Sequence, residues 1–257
     1  MIKDPFTHQV IGIAMETHRS LGPGFVEEFY HQDFISRLVE KGIDHLSKPR
    51  HDLVYRGYVA DTFEADIVFP GKLISELKAL RQTFASEHFV QLLGYMKFWR
   101  IRTGILFDFG KPSLISKRVI YTTRNGAFQE NTIPAFVTDR QLAENLIRIA
   151  NLGLADMGFG YREGTWNGII ASALRAEQIP FAVNPAFDVP GIGKTSLSCL
   201  VIDRCAAITI TALGDEVTAM DRARLQTCLR WLDLPWGISF HFGKNKADLK
   251  FVSNPKK

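Results

Sequence analysis

The sequence is poor in cysteine, in long apolar runs and in charge of a single sign. Among 257 residues there are three cysteines, Cys199, Cys205 and Cys228, all in the second half and none in CxxC spacing. That odd, scattered set argues against a disulfide framework, a structural zinc or an iron–sulfur cluster, and it fits a reducing compartment. No apolar stretch is long enough to span a bilayer, and Met1-Ile2-Lys3-Asp4-Pro5-Phe6 opens no signal-peptide-like run. The expected location is therefore the cytoplasm, with no membrane partner. Lys and Arg exceed Asp and Glu by 31 to 27, a net +4. This balance tolerates a polyanionic partner but is far from that of a protein that coats nucleic acid.

What the chain does contain is a repeat. Gly104-Ile105-Leu106-Phe107-Asp108-Phe109-Gly110-Lys111 returns as Gly237-Ile238-Ser239-Phe240-His241-Phe242-Gly243-Lys244, and Gly22-Pro23-Gly24-Phe25-Val26-Glu27 returns as Gly158-Phe159-Gly160-Tyr161-Arg162-Glu163. Self-similarity at this spacing predicts two domains: residues 1–122, a linker 123–137 containing Asn125-Gly126 and Pro134, and residues 138–257 opened by a capping box at Thr138-Asp139-Arg140-Gln141. Helical spacing predicts helices over 7–21, 26–41 and 86–99, and extended runs cover 52–55, 58–69, 73–80, 104–109 and 116–121. The order helix, hairpin-like strands, helix, strand describes an α/β sandwich with a mixed sheet, present twice.

The first copy holds a charged set that the second lacks. Asp66, Glu76 and Lys78 correspond to Cys199, Thr209 and Thr211. Alternation puts Glu76 and Lys78 on one strand face and Leu77 on the other. A three-residue connection, Pro70 to Lys72, places Asp66 across from Glu76, whereas a two-residue turn places it opposite Ser75. We expect the first register, because facing carboxylates suit a divalent cation and otherwise repel. Glu27 lies on the apolar stripe of Tyr30, Phe34 and Leu38, where a carboxylate needs a metal or a lysine such as Lys78 to satisfy it. Gln91 and Tyr95 share a helix face with His88 and could order Lys78, a water or a phosphate. Singly these signals are weak: an E-x-K strand is usually a solvated face, and Gln-x-x-x-Tyr is more often surface than site.

Together they carry a resemblance. Gly24-Phe25-Val26-Glu27-Glu28-Phe29-Tyr30, Asp66, Glu76-Leu77-Lys78 and Gln91-Leu92-Leu93-Gly94-Tyr95 are similar to the motifs of the GxxExxY proteins, a branch of the PD-(D/E)xK nuclease superfamily, over about residues 8–121. The Gln-x-x-x-Tyr element also looks like that of RecB-type nucleases. Ala65 stands where the superfamily often has proline, and the emptied second half is the larger departure. The resemblance implies a restriction-endonuclease-like mixed sheet flanked by helices. It further implies Mg²⁺ or Mn²⁺ held by Asp66 and Glu76 with the Leu77 carbonyl and Glu27, with Lys78 at the attacking water or the developing charge and Gln91 and Tyr95 orienting it. The implied substrate is nucleic acid, DNA favoured, cut at one site per chain, and a homodimer is open. The alternative is a binding module for nucleic acid or protein on the same fold, without catalysis.

Other features of the sequence carry less. Asp188-Val189-Pro190-Gly191-Ile192-Gly193-Lys194-Thr195 resembles a phosphate loop, but it lacks the first glycine and is expected on a hairpin. Trp231 and Trp236 are expected in the core. Lys72, Arg81 and Lys97 are ordinary surface cations that could meet a phosphate backbone. Asp108 and His241 occupy equivalent strand positions whose orientation the pattern leaves open.

Overall fold

The computed structural model describes residues 4–122, 126–128, 132–214 and 216–255. Asn125, half of the Asn-Gly pair in the expected linker, lies outside them. The chain forms two compact units, one from residues up to Leu53 and from Thr62 to Thr122, the other from Val54–Asp61 and everything after Thr122.

The first unit runs α1 (Pro5–Leu21), α2 (Glu27–Glu40), β1 (Leu46–Ser47), β2 (Arg50–Tyr55), β3 (Tyr58–Glu64), β4 (Ile67–Phe69), β5 (Leu73–Lys78), α3 (Ser86–Phe98), β6 (Thr103–Asp108) and β7 (Ile115–Ile120), with the tip of the β2–β3 ribbon counted in the second unit. Its five-stranded sheet has the order β1-β4-β5-β6-β7; only β5 and β6 pair in parallel, so the sheet is mixed. Asp4 starts α1 by accepting from the Phe6 and Thr7 amides at 3.2 and 3.3 Å. Val10, Ile13 and Ala14 of α1 and Tyr30, Phe34 and Leu38 of α2 bury one stripe each against Ile67, Phe69, Leu77, Ile105 and Phe107. On the opposite sheet face α3 lies so close that a Cβ at Gly104 would stand 2.6 Å from Met96 Sδ. Glu76, paired with Leu106 next to Gly104 in register, therefore faces the α3 side, and Leu77 faces the α1–α2 core.

Two expectations change here. The extended run 58–69 is not one strand: it breaks at Ala65 and Asp66, with β3 paired to β2 in a separate ribbon and β4 entering the main sheet. The physical reason is that the Asp66 amide donates to the Glu76 side chain at 3.0 Å, outside any ladder. Lys97 is not a surface cation but is buried, 8 % exposed, and burial pushes its ammonium down to about 7. The unfolded chain binds that proton more tightly, so this residue makes stability rise with pH from about 7 to 10.5. We expect Lys97→Met to raise the urea midpoint near neutrality, with the gain shrinking to nothing as pH approaches the unfolded lysine value. A gain independent of pH would contradict this.

The second unit runs α4 (Arg140–Met157), α5 (Glu163–Ala176), β8 (Phe181–Val183), β9 (Ala186–Val189), β10 (Gly193–Ser196), β11 (Leu200–Ile202), β12 (Ala206–Ala212), α6 (Ala219–Trp231), β13 (Trp236–Phe242) and β14 (Ala247–Ser253). Its sheet order, β8-β11-β12-β13-β14, repeats that of the first unit, again with one parallel pair in the middle. The register repeats too: Glu76 pairs with Leu106 and Thr209 with Ser239, so 209 − 76 and 239 − 106 both give 133. Among the described residues, six helices and two five-stranded mixed sheets thus make two sheet-bearing halves of a restriction-endonuclease-like α/β fold.

Within the stretch expected as linker, Phe128 packs edge-on against Phe240 and Phe242 at 5.4 and 5.1 Å, and its amide donates to Asn151 Oδ1 at 2.8 Å. The cap of α4 is Asp139 rather than Thr138, because Thr138 Oγ1 accepts from Trp236 Nε1 at 3.1 Å and is engaged elsewhere. Trp236 is fully buried, but Trp231 is 37 % exposed and stacks on Phe187. The phosphate-loop look-alike forms the β9–β10 hairpin, with Gly191 at its turn at φ +77°. Among the described residues no helix is long and apolar enough to cross a membrane.

Candidate active site

The connection between β4 and β5 has three residues, Pro70 to Lys72, and Ile67 pairs with Ser75, so Asp66 stands across from Glu76 as the charge argument required. The two carboxylates are interlocked through backbone. Asp66 N–H donates to Glu76 Oε1 at 3.0 Å, and Leu77 N–H donates to Asp66 Oδ2 at 2.7 Å. Lys78 Nζ donates to Glu76 Oε2 at 3.3 Å and stands 3.6 Å from Glu27 Oε1 and 3.9 Å from Asp66 Oδ2. Three acids from α2, the β4 entry and β5 thus surround one ammonium. Among the described residues no group of three or more His, Cys, Asp or Glu side chains forms a ready ligand set.

The electrostatics follow from burial. Glu76 is 1 % exposed; burial first, then the Asp66 charge, pushes its carboxyl up to about 8 despite Lys78. Burial also raises Glu27, with Lys78 opposing. For Lys78 burial works downward, but Glu76, Asp66 and Glu27 together outweigh it and hold the ammonium above its ordinary value. Three acids thus face one ammonium, and burial with their mutual repulsion pushes Glu76 and Glu27 toward the protonated form while Lys78 keeps its proton.

The glycine-to-tyrosine motif has a mechanical explanation. Tyr30, fully buried and stacked on Phe109 at 4.8 Å, donates its hydroxyl to the Gly22 carbonyl at 2.7 Å and accepts from the Phe25 amide at 3.2 Å. It fastens the Gly22-Pro23-Gly24 bend, where Gly22 and Gly24 have φ +69° and +116°, and so sets where α2 begins and where Glu27 points.

Gln91 and Tyr95 are joined on α3, Gln91 Nε2 donating to Tyr95 OH at 2.9 Å. Tyr95 is raised, chiefly by burial, and senses the charges of Glu76, Asp66 and Lys78. His88 does not join them: its Nδ1 accepts from the Ala85 amide at 3.0 Å and serves the start of α3.

Three supporting residues escaped the sequence argument. His31 Nε2 lies 3.3 Å from the Asp66 carbonyl. Asp108 is 1 % exposed and accepts from the Leu80 and Gly110 amides at 3.0 Å each. Lys111 Nζ donates to the carbonyls of Leu80, Arg81 and Gln82 at 2.8–3.0 Å, pinning the chain as it leaves Lys78. The repeated Gly-x-x-x-x-x-Gly-Lys run is the available signal for the last two, but as a sequence it marks the repeat and a strand and gives these side chains no role.

In the second unit the same positions have changed character. Cys199 packs in an apolar cluster with Leu225 and Cys228, and Thr209 Oγ1 is buried without a partner among the described residues. Thr211 Oγ1 bonds His241 Nδ1 at 2.8 Å. Gln91 and Tyr95 correspond to Arg224 and Cys228, by the same offset. Only Glu163, the counterpart of Glu27, keeps a carboxylate, raised by burial.

No curated protein matches the chain. Over residues 4–119, the stretch carrying Glu27, Asp66, Glu76, Lys78, Gln91 and Tyr95, the chain matches the PD-(D/E)XK nuclease superfamily.

Proposed function

We propose that residues 1–122 form a divalent-metal-dependent nuclease that hydrolyses nucleic-acid phosphodiester bonds, DNA favoured, through one site per chain. Residues 138–257, joined through 123–137, would be a duplicate that has lost the reaction and serves binding or pseudo-dimerisation. The observation that carries this reading is the interlocked pair Asp66 and Glu76 with Lys78 Nζ 3.3 Å from Glu76. The match to a superfamily whose members are usually nucleases supports it.

The donor set fits Mg²⁺ or Mn²⁺. The available atoms are carboxylate oxygens, hard donors, and the acids outnumber the ammonium three to one. Backbone amides occupy Asp66 Oδ2 and Glu76 Oε1, and Lys78 donates to Glu76 Oε2. Asp66 Oδ1 and Glu27 would therefore hold the ion, with Glu76 Oε2 shared between it and the ammonium and the Leu77 carbonyl as a further donor. When bound, the metal acidifies a water and offsets charge on the phosphate. Lys78 keeps its proton, held by its neighbours, and donates to a phosphate oxygen or the attacking water. The Gln91–Tyr95 pair presents an oriented hydroxyl and amide beside it.

The test is incubation of labelled single- and double-stranded DNA and RNA with Mg²⁺ or Mn²⁺, with Lys78→Ala in parallel. Cleavage should appear in the wild type, as nicks on duplex DNA, and fall about 10²–10³-fold in the variant. Equal products from both would locate the activity elsewhere. Retained nucleic-acid binding without cleavage in any divalent metal would make the chain a binding module.

A further inference from the structure

The two β-ribbons that branch from the sheets are equivalent in position, but they differ in what they touch. In the second unit the tip of the β2–β3 ribbon, Val54–Asp61, lies on the α4–α5 pair. Tyr55 donates its hydroxyl to Asp156 Oδ2 at 2.8 Å, Arg162 Nη2 donates to both Asp61 oxygens at 3.1 Å, and Thr165 bonds Asp61 as well. A Cβ on Gly168 would stand 1.7 Å from the Ala60 carbonyl oxygen, so backbone rests directly on helix. The receiving positions, Arg162 at the N-cap of α5 and Thr165 and Gly168 within it, line one helix edge at three-residue spacing.

The counterparts of that edge on α2 are Val26, Phe29 and Gln32, each offset by 136, as Glu27 is from Glu163. There the face is bare: Val26 is 63 % and Phe29 55 % exposed, with Phe25 beside them at 47 %. Gln32 borders a groove of about 460 Å³ that also includes Glu28 and Lys48. The counterpart of the seated tip is the β9–β10 hairpin, every residue of which from Pro190 to Ser196 is exposed, Ile192 at 79 %. An apolar helix edge and an apolar hairpin tip, each the homologue of one half of an existing contact, are both unsatisfied.

We propose that the β9–β10 hairpin is a docking arm that seats on the outer edge of α2 in a second copy of this chain. Ile192, the counterpart of Tyr58, covers Val26 and Phe29. Lys194 stands where Ala60 touches the helix, and it approaches Glu28, whose carboxylate already pairs with Lys48 and accepts from Gln32. Gln32 in place of glycine keeps this arm at side-chain rather than backbone distance, so the contact is looser than its homologue and suits reversible association. Each chain has one arm and one receiving edge, and reciprocal exchange closes a two-fold dimer. The inference does not depend on the nuclease reading.

The test is sedimentation velocity of the full chain up to about 100 μM, with Ile192→Asp and Phe29→Asp alongside. A dimer is expected whose dissociation constant rises about tenfold or more in either variant, the unfolding midpoint being unchanged. In a second arm, Phe29→Cys chains are mixed with Lys194→Cys chains and a short bismaleimide. A covalent product of twice the chain mass, absent from wild type and from each variant alone, would support the exchange. A monomer throughout, a dimer indifferent to both aspartates, or an arm cross-linked only within its own chain in the double-cysteine variant would overturn it.

Discussion

Glu76→Gln is expected to remove cleavage while leaving the first unit as stable as before, or more so. Gln is nearly isosteric, and its amide oxygen can still accept from the Asp66 amide, now 3.0 Å from Glu76 Oε1. What disappears is a buried acid whose charged form burial and Asp66 both oppose, as a carboxyl pushed up to about 8 shows. Near neutrality a neutral amide therefore replaces a group that already favours its proton. Lys78 loses its hydrogen bond to Glu76 Oε2 but keeps two acids, Glu27 and Asp66, within 4 Å, so the ammonium is not stranded. The chemistry loses more than the fold gains: a donor with one oxygen and no charge binds a hard cation poorly, and cleavage should fall about 10²–10³-fold. Calorimetric Mn²⁺ binding should weaken in parallel. Glu76→Ala differs in one respect, since it leaves the Asp66 amide without its acceptor and should cost about 1–3 kcal/mol in urea unfolding. Full activity in Glu76→Gln, or a large drop in its unfolding midpoint, would show that the carboxylate serves the fold and not the reaction.

Much of this site was legible because its logic is local. Strand alternation sets the faces of Glu76 and Lys78, and the repulsion of two acids selects the three-residue connection that brings Asp66 across. Glu27 gave itself away as a carboxylate on an apolar stripe. Signals that depend on distant partners were not legible. The role of Tyr30 rests on a carbonyl eight residues upstream and a ring just past the end of β6, Phe109, which no helical period contains. Lys97 carries the commonest surface residue type on a helix whose neighbours face a sheet, so composition pointed outward where packing turned it in. Asp108 and Lys111 lay in plain sight in a repeated motif, yet their work is done on the loop after Lys78, some thirty residues away. Nor could the run 58–69 declare its break, because Asp66 leaves the ladder only when Glu76 is present to receive its amide. The grouping of Val54–Asp61 with the second unit rests on contacts about a hundred residues apart, as between Asp61 and Arg162.

That grouping can be tested by a pair of glycines on one helix. Gly164 and Gly168 both lie in α5, where glycine is a poorer helix former than alanine by about 1 kcal/mol. At Gly164 an added methyl meets nothing within 4 Å, and alanine should be neutral or mildly stabilising. At Gly168 the same methyl would fall 1.7 Å from the Ala60 carbonyl oxygen and 2.6 Å from its carbon. Both are backbone atoms, so no rotamer change relieves the overlap, and the ribbon tip has to lift. Lifting separates Asp61 from Arg162 and Thr165, and Tyr55 from Asp156, which together hold the tip. Gly168→Ala should therefore lose stability by about 1–3 kcal/mol, the range of an overpacked core, against its helix propensity. Amides of Tyr58–Asp61 should exchange faster, and trypsin should cut sooner after Arg56, the exposed basic residue at the turn. The sign of the difference between the two variants is the decisive measurement. If Gly168→Ala behaves like Gly164→Ala, with tip amides unchanged, the ribbon does not rest on α5, and the homology that assigns the second arm to α2 loses its template.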